Sequence, residues 1–203
     1  NILYEEGIKM DSHLILEPTF PGTVVERQGK SAAEFLDGLF FGTKGLMLSQ
    51  VREITKLETS VIQNWVNRGW VQKPVEKRYS ANHLARILLI NMLREVTKLE
   101  TIVHILTYLN GSANCREDDS ISESQLYIYI CDILDEVDYE TILSGSLDRL
   151  IESRATDYRE PFPGAREKVM NAAKLILTYY AASLVKVRAD RLYEQAVEPV
   201  LKV

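Results

Sequence analysis

Cysteine is almost missing from this 203-residue chain: Cys115 and Cys131 are the whole complement. A disulfide framework is therefore excluded as the basis of the fold, and a cytoplasmic location is expected. Histidine is also scarce, with only His13, His83 and His104. These are scattered, and no His or Cys pair has the spacing of a metal site, so no metal or other cofactor is expected. No run of about 18 uncharged apolar residues occurs and no basic-then-apolar signal opens the chain, which argues against a membrane span. The string GLFFGTKG from Gly38 lacks the four-residue spacer of a phosphate loop, and no nucleophile motif appears. Asp118-Asp119 and Asp135-Glu136 fit solvated charges or helix ends better than acid–base chemistry. The chain is not expected to be an enzyme.

What is present suits an ordinary globular protein. Apolar residues make up 46% and charged residues 26%, enough to build a core without staples. Net charge is −5, which disfavours nucleic acid on average, but the charge is uneven. Residues 51–98 hold nine basic side chains (Arg52, Lys56, Arg68, Lys73, Lys77, Arg78, Arg86, Arg94 and Lys98) and four acidic ones, for +5. The remainder carries −10. A locally basic segment in an acidic protein can present one face to DNA and keep the rest away.

Punctuation divides the chain into an N-terminal extension over 1–45, a unit over 46–111 and a helical region over 112–203. In the extension, His13 to Leu16 suits a short extended segment. Ser31 with Glu34 forms a capping box for a helix to about Phe41. In the second unit, Ser49 caps a short helix to about Thr55. After a sharp break a helix runs from about Thr59 to Arg68, stopped by Gly69. Trp70 to Tyr79, with Pro74, suggests a tight hairpin. Ser80 caps a helix to about Val96, and Thr97 with Glu100 suggests a second capping box before a helix to Leu109. Beyond the polar linker SANCREDD, helices are expected over about 120–135, 139–153 and 164–197, the last ending before Pro199. The fold expected is mainly all-α with one short β-wing.

The helix at 59–68 carries the functional signal. Val61, Ile62, Trp65 and Val66 form its apolar side. Ser60, Gln63, Asn64, Asn67 and Arg68 form one polar stripe without a carboxylate. Amides can pair with adenine and arginine with guanine in the major groove. A solvated helix face would more often mix Glu with Lys. Lys73, Lys77 and Arg78 on the hairpin would meet phosphates. Tyr79 either offers its hydroxyl to a phosphate or anchors the core. A short helix, a sharp turn, an amide-rich helix, a basic hairpin and a capped helix, in that order, fit a winged helix-turn-helix.

The runs ITKLETSVIQNWVNRGWV and KRYSANHLARILLINMLREVTKLETIVHIL resemble the MerR-type DNA-binding domain. VIQNWVNRGWVQKPVEKRYSANHLA is more closely similar to a bacterial domain of unknown function, family 1836. The resemblance implies a winged-helix fold and transcriptional regulation. Together these features predict a regulator that binds double-stranded DNA, with residues 112–203 serving dimerisation or sensing. The overall acidity and short wing leave a protein-interaction adaptor as the alternative.

Three further expectations follow. The helix from Ala81 is apolar around more than half its circumference, so two sides of it should be covered. Ala172 to Val187 (AAKLILTYYAASLVKV) is too apolar for one packing face, and a homodimer with this segment near its interface is expected. Tyr127, Tyr129, Tyr158, Phe162, Tyr179, Tyr180 and Tyr193 either line a pocket for a small-molecule effector or belong to the core.

Overall fold

A computed structural model describes residues 18–111, 119–138, 141, 142, 144, 146–155 and 157–201. The segment His13 to Leu16, Cys115 and Asp118 lie outside them. The described chain is mainly helical: α1 (Ala32–Phe40), α2 (Leu48–Thr55), α3 (Thr59–Asn67), α4 (Ala81–Leu93), α5 (Leu99–Asn110), α6 (Glu123–Leu134), α7 (Ser146–Arg154), α8 (Ala165–Ala196) and α9 (Glu198–Leu201). Extended pairing among the described residues is limited to isolated antiparallel bridges at Thr19–Glu26, Leu46–Tyr79 and Val75–Arg78. Where a β-wing was expected there is a tight turn closed by one bridge. Pro74, just before it, has no N–H to extend a ladder.

Capping explains several helix starts. Ser31 and Glu34 form the expected box at α1. At α4, Ser80 accepts from the His83 N–H while His83 Nδ1 accepts from the Ser80 N–H at 3.0 Å. Two expected caps fall elsewhere. The N-cap of α2 is Met47, not Ser49, and Gln50 reaches back to the Met47 N–H at 2.8 Å. The N-cap of α5 is Lys98, not Thr97, and makes no side-chain capping bond. The helix expected over about 120–135 begins at Glu123, capped by Ser122. Ser120 instead donates to the Leu109 carbonyl at 2.7 Å and helps tie α5 to α6.

One continuous apolar core includes residues from both sides of the linker. At its centre is α4, whose residues 83–90 are all buried. It packs on α2, α5, α6 and α8, which accounts for the apolar character around its circumference. The segment 18–30 is also built into the body. Phe20 stacks on Phe35 with ring centroids 4.3 Å apart. Tyr127 donates to the Pro21 carbonyl at 2.8 Å, and Asn91 donates to the Gly22 carbonyl at 2.8 Å. Buried Arg27 lies over the Phe20 ring and pairs with Asp135, the C-cap of α6, at 2.5 Å.

Residues 46–111 expressed alone should therefore aggregate or give broad amide spectra, because α6 and α8 would no longer cover α4. A monomeric fragment with sharp, dispersed amide resonances would contradict this.

The central turns of α8 face inward: Ala172, Ala173, Ile176, Leu177, Tyr180 and Ala181 are buried in the chain's own core. Much of the apolar character of 172–187 is accounted for there. Among the tyrosines, Tyr127 and Tyr180 are core residues. Tyr129 and Tyr158 donate to the carbonyls of Ile151 and Ser120. Cys131 is fully buried, and burial pushes its thiol up to about 12, so it is kept as an unreactive thiol.

Candidate nucleic-acid interface

The turn between α2 and α3 is short: only Lys56, Leu57 and Glu58 separate the helices. Lys56 ends α2 in a left-handed conformation (φ 54°), with its N–H bonded to the Arg52 carbonyl. Leu57 is buried beneath the turn. Its N–H bonds to the Thr55 hydroxyl at 3.2 Å, and that hydroxyl donates to the Val51 carbonyl. These contacts fix the angle at which α3 leaves α2.

The sidedness of α3 follows its sequence. Ile62 and Trp65 are buried, and Val61 and Val66 are half-buried. Ser60, Gln63, Asn64, Asn67 and Arg68 are exposed. Among the described residues, no side-chain hydrogen-bond partner is found for Ser60, Gln63, Asn64 or Asn67. Arg68 is different. Its guanidinium lies 4.8 Å from the centroid of the Trp70 ring and 3.8 Å from Glu100 of α5. It is thus held at the far end of the helix, and the stripe divides into three amides and a hydroxyl on one side and an engaged arginine on the other.

The hairpin lies beside this helix. Its turn, Val75-Glu76-Lys77-Arg78, closes through an Arg78 N–H bond to the Val75 carbonyl at 2.8 Å. Glu76 (φ 49°) and Lys77 (φ 62°) are both left-handed. Two-residue hairpin turns need this conformation and usually use Asn or Gly for it. Here two long charged residues hold it at some conformational cost. Leu46 and Tyr79 exchange both backbone bonds, at 2.9 and 2.8 Å, anchoring the hairpin to the segment before α2. Gly45 is needed at that contact: its φ is +133°, and a Cβ would lie 2.9 Å from the Tyr79 carbonyl oxygen. Arg78 donates to the Gly45 carbonyl at 3.0 Å, so part of its guanidinium is structural.

Between α3 and the hairpin lies an open groove of about 570 Å³. Gln63 and Asn67 line one side, Lys77 and Tyr79 the other, with Met47, Leu48, Val66 and Pro74 adding apolar surface. The structure therefore brings Gln63, Asn67, Lys77 and Tyr79 together. Ser60 and Asn64 lie on the outer face of α3 and do not line the groove. Lys73 is exposed on the hairpin. Tyr79 is only 4% exposed and its ring meets His83 edge-on, so it is chiefly a core anchor. Burial raises its phenol above the usual range, keeping it neutral.

Electrostatically the surface is less basic than residue counting implies. Arg86 is buried and paired with Glu123. Arg52 pairs with Glu58 and Arg94 with Glu95. Among the described residues no ion pair engages Lys73 or Lys77. Carboxylates also border the site at Glu58, Glu76 and Glu100. The apolar contributors Met47, Leu48 and Pro74 carried no signal in the sequence, because nothing local shows that the start of α2 and the hairpin share a groove.

Residues 40–130 match the family model described as a domain of unknown function, DUF1836. The match runs from the last residue of α1 into α6, and so includes α3, the hairpin and α4. No curated protein and no solved structure matches the chain. Among the described residues, no helix is long and apolar enough to cross a membrane.

Proposed function

We propose that the protein is a DNA-binding transcriptional regulator in which residues 46–111 act as a MerR-like winged helix-turn-helix. One observation carries this reading. Among the described residues, Ser60, Gln63, Asn64 and Asn67 are displayed on the exposed side of α3 without side-chain hydrogen-bond partners, and exposed Lys73 and Lys77 on the adjacent hairpin enter no ion pair. Groups with unfilled hydrogen-bonding capacity on a rigid helix can read base edges. Lysines beside them would position the helix by meeting phosphates. The left-handed turn holds Lys77 at the tip of the hairpin despite its conformational cost, which fits a positioned charge. On this reading the protein acts by binding, and its partner is double-stranded DNA.

The test is selection of genomic DNA fragments by the purified full chain, followed by titration against salt. Asn64→Ala should cost about 1–3 kcal/mol on the selected site and relax preference at one position. Lys73→Ala with Lys77→Ala should weaken binding on all sequences and lower the salt slope by roughly one unit per lost phosphate contact. Arg78 is left intact because of its bond to Gly45. All three side chains are exposed, so melting temperatures should hold. If no fragment binds above background at low salt, the reading fails.

The groove favours one alternative, a protein-interaction adaptor. Met47, Leu48, Val66 and Pro74 give it apolar surface, and Val75 is 71% exposed on the adjacent turn. Such a groove suits an apolar segment of a partner protein. The adaptor reading is favoured if Met47→Asp abolishes capture of a partner while DNA selection yields nothing.

A further inference from the structure

We propose that Phe41, at the turn between α1 and α2, is an apolar wedge that enters the DNA minor groove beside the base pairs met by α3. This rests on the DNA-binding reading above, and it adds a contact from outside residues 46–111.

Phe41 is 89% exposed, the most exposed large apolar side chain among the described residues. Its neighbours are placed differently. Leu39 and Phe40 are half-buried and pack on the core, which fixes the end of α1. The chain then turns at Gly42, where φ is 67°. The Thr43 N–H bonds to the Phe40 carbonyl at 3.2 Å. The Thr43 hydroxyl accepts from the Gly45 N–H at 2.8 Å and donates to the Gly45 carbonyl at 3.0 Å. Arg78 of the hairpin donates to that same carbonyl, and Leu46 is bonded to Tyr79. Phe41 therefore stands on a turn closed by its own hydrogen bonds and fastened to the hairpin. A ring held outward in water gains by leaving it for a stack of bases.

The chemistry around the ring favours a polyanion over an apolar protein surface. Residues 38–52 contain no carboxylate, and they include Lys44 and Arg52. Lys44, three positions from Phe41, is exposed and enters no ion pair among the described residues. Lys77 and Arg78 lie on the hairpin to which the turn is fastened, with Glu76 the one carboxylate beside them. Cations of this kind can hold phosphates while an apolar side chain parts two base pairs from the minor groove. A segment just before a helix-turn-helix can reach the minor groove while its second helix occupies the major groove.

The test uses the full chain and a fragment it selects, with 2-aminopurine moved along the site as a reporter of unstacking. Wild-type protein should raise the fluorescence at one step. Phe41→Ala should select the same fragments, bind them about tenfold more weakly and lose the rise. Phe41→Leu, still an apolar wedge, should keep most of both effects. Melting temperatures should not change, because the ring is exposed. With a G·C pair placed at the responsive step, replacing guanine by inosine removes a minor-groove amino group alone. That change should tighten wild-type binding and leave Phe41→Ala unaffected; equal effects on both overturn the minor-groove placement. Intact selection with Phe41→Ala matching wild type in affinity and fluorescence overturns the wedge and leaves the DNA reading standing. Loss of a partner protein by Phe41→Ala, with DNA binding unchanged, makes the ring a protein contact and also overturns it. If wild type selects no fragment, the DNA reading fails and the wedge falls with it.

Discussion

Glu123→Ala is expected to destabilise the protein by about 3–5 kcal/mol, the cost of stranding a buried charge. That is a large part of the roughly 5–15 kcal/mol that holds a domain folded. Glu123 opens α6, and its carboxylate lies 3.0 Å from Nη1 of Arg86 on α4. The side chains are 3% and 9% exposed, so water cannot replace the lost partner. Burial already lowers the Arg86 pKa, while Glu123, aided more weakly by Asp119, opposes that shift. Arg86 also donates through Nε to the Trp70 carbonyl at 2.5 Å, just beyond α3. One guanidinium thus ties the α3–hairpin junction to α6. Glu123→Gln, which can still accept a hydrogen bond, should cost less than the alanine change. Arg86→Met with Glu123→Leu should recover part of the loss, because an apolar pair removes the stranded charge. Recovery should be incomplete because the Trp70 carbonyl loses its donor. Urea unfolding of the three variants measures this. A cost below about 1 kcal/mol for Glu123→Ala, the range of a surface pair, would show that the bridge is not buried in solution.

Gly22→Ala should be nearly as damaging, at roughly 2–5 kcal/mol from combined backbone strain and overpacking. Gly22 has φ +75°, and a Cβ there would sit 2.5 Å from the carbonyl oxygen of Leu88 in the middle of α4. That oxygen belongs to the helix backbone and cannot swing aside like a side chain. Gly22 is also held by Asn91, which donates both to its carbonyl and to that of Thr55, at 2.8 and 3.3 Å. Pushing Gly22 away would disturb the junction of α2 with α4. Gly29 supplies the control: it has the same φ of +75° with nothing within 4 Å of its added Cβ. Gly29→Ala should therefore show only the conformational cost, about 1–2 kcal/mol. The gap between the two melting curves isolates the clash. If the two variants melt alike, segment 18–30 does not pack on α4 as described.

Much of the helical layout was legible in the sequence, because its signals are local. Ser31 with Glu34, Ser80 with His83 nearby, and Gly69 after α3 mark helix ends through backbone geometry that neighbouring residues set. The sidedness of α3 was equally clear, since Ile62 and Trp65 against Gln63, Asn64 and Asn67 is a pattern of helical period. At α2 and α5 the same reasoning named the wrong caps. Ser49 and Thr97 each have the right chemistry, but the chain turns one or two residues away. At α2, Gln50 reaches the N–H of Met47, and the Leu46–Tyr79 bridge anchors the residue before it.

What the sequence determined by itself was thus a mainly helical chain and a polar helix face without carboxylates. The tertiary structure decided which of those polar groups remain available. Arg86 counted as a surface cation until Glu123, 37 positions away, was seen to enclose it. Arg68 belonged to the stripe until Trp70 and Glu100 engaged it. Tyr79 shared a basic hairpin, yet its ring lies in the core. The groove beside α3 likewise exists only through packing. A residue's availability depends on what long-range contacts bury or pair, and helix periodicity carries no record of partners so far along the chain.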